Sequence, residues 1–137
     1  MADVSLIVDT GLAKVTDLLA AVTIVCPGWV GWGIGTIAPV AGDAGLGTAS
    51  AEARTVGTKT QQTTTTANDT FQAVALITAL SAQAITEVAV FDALTVGNLF
   101  LRGTFSPINV SIDDTIEFTV QTIFCLLYTS PSPRDRS

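Results

Sequence analysis

The apolar positions of this 137-residue chain change their period along its length. Over the first 26 residues they recur at spacings of three and four, so that Leu12, Val15, Leu19 and Val22 fall on one face. That is the period of an amphipathic helix. Asp9 or Thr10 stands where an N-cap is expected, and Pro27-Gly28 breaks the pattern. Val4 to Val8 reads equally as a short strand. From Trp29 the texture becomes strand-like. Trp29-Val30-Gly31-Trp32-Gly33-Ile34-Gly35 alternates small and large residues, as a strand with one crowded face does. Residues 36–50, rich in Gly, Ala, Pro and Thr, read as a long surface loop. Residues 52–66 are Thr-rich with Val56 and little else apolar, which suits an extended strand with a solvated face. Ala67-Asn68-Asp69 is a turn signal and leads into a strand over Thr70 to Leu80, so the two segments predict a hairpin. A second hairpin joins Ile85–Asp92 to Asn98–Phe105 through Thr95-Val96-Gly97. After a turn at Asp113-Asp114, Ile116, Phe118 and Val120 alternate with Thr115, Glu117, Thr119 and Gln121. That pattern is a half-buried strand over Thr115–Thr122 with one wet face.

Short strands separated by turn signals predict a mainly β fold: an antiparallel β-sandwich, jelly-roll-like, with an N-terminal helix. Three segments follow. Residues 1–27 are a helical segment, residues 28–124 form the sandwich domain, and residues 125–137 stand apart. The run Cys125-Leu126-Leu127-Tyr128-Thr129-Ser130-Pro131-Ser132-Pro133-Arg134-Asp135 resembles the conceptual translation of a transposase sequencing adapter. The expectation is an artefactual, disordered tail, which is left out of fold reasoning. The remaining 124 residues suit one domain with a modest core.

Charge narrows the partners. The chain has 6 basic and 12 acidic residues. Setting aside Arg134, Arg136 and Asp135 leaves four basic against eleven acidic, a net charge of −7. Nucleic-acid binding needs a basic footprint that displaces counterions, and this chain lacks one. Mean hydropathy is high, at +0.53, so apolar surface needs a home in a membrane or against neighbouring subunits. The uncharged run from Leu18 to Cys26 is too short to span a bilayer. The opening Met1-Ala2-Asp3 lacks the positive start of a secretory signal. Neighbouring subunits are therefore the expected home, with no membrane partner.

Candidate chemistry is sparse. There is no histidine, the commonest general base and metal ligand. No Ser stands in a G-x-S-x-G elbow. Gly31, Gly33 and Gly35 are not followed by Gly-Lys-Ser/Thr and do not make a phosphate loop; close backbone packing around Trp29 and Trp32 is the expected reason for them. With Cys125 set aside, Cys26 is alone, makes no disulfide framework and reads as a buried small apolar residue. Asp113, Asp114 and Glu117, or Asn68 and Asp69, carry the hard oxygens a Ca²⁺ ion takes, but without an EF-hand pattern they read as turn formers. No catalytic residue, cofactor or metal ligand is assigned. Glu87 shares a strand face with Ile85, Ala89 and Phe91, and a buried carboxylate needs a partner. Arg102 on the neighbouring hairpin strand is the candidate, making a structural ion pair.

A family resemblance rests on five stretches: Trp29 to Pro39, Thr64 to Gln72, Ala84 to Ala93, Gly97 to Phe105, and Ile108-Asn109-Val110. They resemble small virion structural proteins of tailed bacteriophages, of the tail-fibre-like or head-decoration kind. The element Ile85-Thr86-Glu87-Val88-Ala89-Val90-Phe91-Asp92-Ala93, followed by Asn98-Leu99-Phe100-Leu101-Arg102-Gly103-Thr104-Phe105, is the most specific part and is also similar to the core of tail-collar fibre modules. The resemblance covers about residues 28–124. It departs at Ile112-Asp113-Asp114, where such relatives often carry a glycine-aspartate turn. It implies a β-sandwich working in the virion as a homo-oligomer, trimer favoured, beside other virion proteins, with no active site to carry over. Trp29, Trp32, Phe91, Phe100 and Phe105 are then candidate anchors, inside the subunit core in preference to between subunits. Two other functions stand beside this one. A receptor- or carbohydrate-binding module at a fibre tip would use the 36–50 loop with Asp43, and full burial of Trp29 and Trp32 would count against it. A glycan hydrolase would need two carboxylates about 5–10 Å apart across a cleft.

Overall fold

The computed structural model describes residues 4–23 and 25–124; the adapter-like segment 125–137 lies outside the described residues. The chain runs β1 (Val4–Ile7), α1 (Asp9–Leu19), β2 (Trp29–Gly33), β3 (Thr55–Val56), β4 (Thr58–Gln62), β5 (Thr70–Thr78), β6 (Gln83–Phe91), β7 (Leu99–Val110) and β8 (Thr115–Ile123). A five-stranded sheet has the order β1-β7-β6-β2-β3 and a three-stranded sheet the order β4-β5-β8. Every pairing is antiparallel. The fold is thus mainly β, an antiparallel sandwich with one short N-terminal helix.

Alternation builds both layers. In β5, Ala73, Ala75 and Ile77 point inward, and in β8 Ile116, Phe118 and Val120 are half-buried between exposed neighbours. Ala75, Ile77 and these β8 residues meet Val30, Trp32, Ile85, Val90, Phe100 and Leu101 of the larger sheet. Two edge-to-face ring pairs cross the interface: Trp32 on Phe118 at 6.3 Å and Phe71 on Phe100 at 6.2 Å between centroids. Such pairs are worth about 1 kcal/mol each beyond their burial. The other face of the larger sheet carries a smaller cluster of Val8, Ala89, Phe91 and Leu99, with Trp29 and Leu46 against it. Leu46 comes from the long connection between β2 and β3, so this connection covers the sheet on the side away from β4, β5 and β8.

Three sequence expectations need correction. The segment 1–27 is not helical throughout: its helix occupies Asp9–Leu19, and of the two readings of Val4 to Val8 the strand is the one found, Val4–Ile7 being paired with β7 from Val4↔Thr104 to Ile7↔Leu101. β1 is thus an edge strand of the larger sheet. Val8 occupies the N-cap, without a side-chain cap bond. Thr10 Oγ1 instead donates to the Leu99 carbonyl at 2.6 Å, tying the helix to β7.

The second correction is the buried face. Leu12 and Leu19 of α1 are 55% and 83% exposed, while Gly11 and Lys14 are buried. Gly11 lets the helix backbone come onto β7, since a Cβ there would collide with the Phe100 carbonyl and the Ile7 side chain. The third concerns residues 52–66, which do not form one strand. β3 pairs with β2 in one sheet and β4 pairs with β5 in the other. The chain changes sheet at buried Gly57, whose N–H donates to the Gly28 carbonyl at 2.6 Å. The two hairpins β4–β5 and β6–β7 are present, and β7 runs on past Phe105 to Val110.

Candidate functional site

The most heavily built polar site lies beneath the 34–50 connection. β6 presents Glu87 and β7 presents Arg102, on the same face because Glu87 pairs with Thr104 and Arg102 sits two residues before it. Arg102 Nε donates to Glu87 Oε1 at 2.9 Å. Its Nη1 donates to Asp43 Oδ2 at 3.0 Å and its Nη2 to the Ile37 carbonyl at 2.7 Å. Glu87 accepts three more bonds from loop backbone: Gly35 N–H at 2.7 Å and Thr48 N–H at 2.8 Å on Oε2, and Gly47 N–H at 2.8 Å on Oε1. Thr86 Oγ1 donates to the Gly35 carbonyl at 2.6 Å. Glu87 and Arg102 are 0% and 2% exposed. Burial pushes the Glu87 carboxyl up, but the bonds from Thr48, Gly47, Arg102 and Gly35 outweigh it and hold the group below the usual carboxylate range.

The glycine run finds its reason here and not in the tryptophans alone. A Cβ on Gly35 would meet Glu87 Oε2, and one on Gly33 would meet the Thr48 carbonyl and lie 2.6 Å from the same Glu87 oxygen. The two glycines clear the space into which the carboxylate fits.

Other charged side chains are equally occupied. Lys14 Nζ lies 2.9 Å from Asp92 Oδ2, both buried, which fastens α1 to the β6–β7 connection. Asp92 also accepts Asn98 N–H at 2.7 Å and Asn98 Nδ2 at 3.2 Å. Burial raises its carboxyl, but these bonds prevail and the group sits below its ordinary range. Glu52 accepts Trp32 Nε1 at 2.8 Å, Leu80 N–H at 2.8 Å and Gln83 Nε2 at 2.7 Å. Arg54 lies over the Phe91 ring, 3.4 Å from its centroid, and its Nη1 donates to the Ala93 and Val96 carbonyls. None of Lys14, Glu52 or Arg54 stood out in the sequence. The one local sign for Lys14 is its position three residues after Gly11, on the side of the helix away from Leu12.

The remaining sequence candidates separate. Trp32, Phe91 and Phe100 are buried within the subunit, and Trp29 and Phe105 are half-buried against its two clusters. Asp43, the residue singled out for receptor contact, is held by Arg102. Asp69 accepts the backbone N–H groups of Thr64, Thr65 and Thr66 and the Thr70 hydroxyl; these bonds, Thr66 foremost, hold its carboxyl well below the usual carboxylate range. Asp114 accepts Ser111 N–H at 2.7 Å. Both are turn-forming roles, and no group of three His, Cys, Asp or Glu poised for a metal occurs among the described residues. Cys26 is exposed, contrary to the burial expected of it.

Three surface cavities, of about 340, 450 and 640 Å³, each have one carboxylate in their walls: Asp69, Glu52 and Glu117 respectively. None of the three offers the facing pair a two-carboxylate hydrolase requires. A carboxylate as fully hydrogen-bonded as Glu87 is a fastening: its lone pairs are already occupied by loop and guanidinium donors. Among the described residues no helix is long and apolar enough to cross a membrane. Compared with protein-family models, curated proteins and solved structures, the chain finds no match in any of the three.

Proposed function

We propose that this chain is a structural subunit of a bacteriophage particle, a capsid decoration or tail-fibre or collar component. It acts through contacts with copies of itself and with other virion proteins, without catalysis. The observation that carries this reading is the combination of buried, fully bonded charges with large apolar side chains left on the surface. Lys14, Glu87 and Arg102 are buried, whereas Leu12, Leu19, Val22 and Ile37 are each more than half exposed. Exposed apolar side chains favour a partner where they gather into a patch, and the long β8 edge, with Ile116, Phe118 and Val120, serves the same end. The saturated state of the buried charges supports a role in holding shape. The resemblance of residues 28–124 to small phage virion proteins supplies the particle.

The test is the solution mass of residues 1–124, by light scattering after gel filtration. A closed homo-oligomer, a trimer above all, is the expected result. A well-folded monomer at every concentration would remove the homo-oligomer and shift the reading toward a receptor-binding module.

A further inference from the structure

The two sheets are unequal, and the shortfall lies along one edge. β8 pairs with β5 over nine residues, Thr115 to Ile123, and among the described residues has no strand on its other side. Beside that free edge runs a trough of about 640 Å³. Ile116, Phe118 and Val120 form one wall, and Val88, Phe105 and Ile108 of the larger sheet form the other. All six consecutive residues from Ile116 to Gln121 line it, a length of about 20 Å in extended chain. The trough therefore has the shape of one missing strand of the smaller sheet. Protein edges are usually blunted by charges, Pro or a bulge; β8 carries a single charge, Glu117, has no Pro and pairs with β5 in unbroken register.

We infer that the β8 edge and its trough accept an extended segment of a neighbouring protein chain, which adds as a fourth strand. Its chemistry follows from the walls. Main-chain groups bond to the free edge of β8, and apolar side chains at alternate positions enter the trough. Glu117 is the one charged residue in the lining, so the segment is otherwise neutral and carries a basic residue to meet it. The basic residues of the described chain do not supply such a segment: Lys14 and Arg102 are buried, Arg54 lies on Phe91, and Lys59 stands on β4, whose Thr58, Thr60, Gln61 and Gln62 offer no apolar side chain to the trough. This inference rests on the particle reading, in which other virion proteins supply such segments.

The probe is the capped peptide acetyl-Thr-Val-Lys-Val-Thr-Val-Thr-amide, followed by backbone amide NMR of residues 1–124. Saturable shifts confined to Thr115–Ile123 and the trough walls are expected, with a Kd below roughly 1 mM. Ile108→Lys places a charge in the trough at a side chain already 42% exposed, so the fold tolerates it; binding should weaken about tenfold or more. The same peptide N-methylated at alternate amides should lose binding to a similar degree. No saturable shift, shifts at another surface, or equal binding of the N-methylated peptide would overturn the inference. Concentration-dependent exchange protection of β8 in the protein alone would give the trough to a second copy and also overturn it. An oligomer that ignores the peptide keeps the particle reading and removes this one; a monomer that binds it does the reverse for the homo-oligomer.

Discussion

Glu87 receives more hydrogen bonds from the loop than from its ion-pair partner: three backbone N–H groups against one guanidinium N–H. Removing one member of a buried pair leaves the other uncompensated, at a cost of about 3–5 kcal/mol. Glu87→Ala should lower urea-unfolding stability by that amount. Replacing a whole buried pair with apolar residues is often harmless, but here Gly35, Gly47 and Thr48 would keep donors with no acceptor. Glu87→Leu combined with Arg102→Met should therefore remain clearly less stable than the parent, and a double variant of parental stability would refute the loop's dependence on Glu87. The pH dependence has a definite sign. Glu87 and Asp92 titrate below their ordinary values in the folded chain. Their contribution is complete above the unfolded value of about 4 and is lost as pH falls through and below it. Thermal melting should be higher at neutral pH than near pH 3, and Glu87→Gln should flatten that difference. Strand alternation already puts Glu87 among apolar neighbours and Arg102 on the next strand. The loop donors left no such trace, because a backbone N–H some 40 to 50 residues away belongs to no periodic pattern.

At the scale of elements, α1 separates the period of a helix from the side it buries. Spacing of Leu12, Val15 and Leu19 marks a helix, and a helix is there, but of the three only Val15 packs on the core, and the docking side is completed by Gly11 and the Lys14–Asp92 ion pair. Leu19→Ser, at an 83% exposed position, should change stability by no more than about 0.5 kcal/mol while reducing self-association in gel filtration. Lys14→Met should cost about 3 kcal/mol in thermal or urea unfolding, since Asp92 would stay buried without its cation. The reverse ranking would return the helix to the orientation that hydrophobic spacing suggests. The 52–66 segment shows a related limit. Its Thr-rich composition carries the extended conformation, but a single glycine decides where the chain leaves one sheet for the other, and composition does not reveal which glycine does so.

For the whole molecule, the sandwich was legible because strands with one wet face alternate plainly, above all β8. The partition of eight strands into five and three was not, because it depends on pairings between segments far apart in sequence. That partition predicts a gradient of local stability. Amides of β6 and β7, central in the larger sheet and adjacent to the buried charges, should exchange slowest with solvent, and those of β4, an exposed edge, fastest. Uniform exchange across both sheets would contradict the layered core described above.

Strand pairing also sets an order of events. β1 lies against residues 101–104 and β2 against residues 87–91, while the 34–50 connection is fastened by Glu87 and Arg102. Nearly everything in the first third of the chain is thus gripped by a hairpin that the ribosome makes much later. Contacts so distant in sequence make folding slow, and the nascent chain must carry its early apolar segments unpaired until β6 and β7 emerge. For a protein that keeps apolar side chains on its finished surface, that waiting period is when association with the wrong neighbour is easiest.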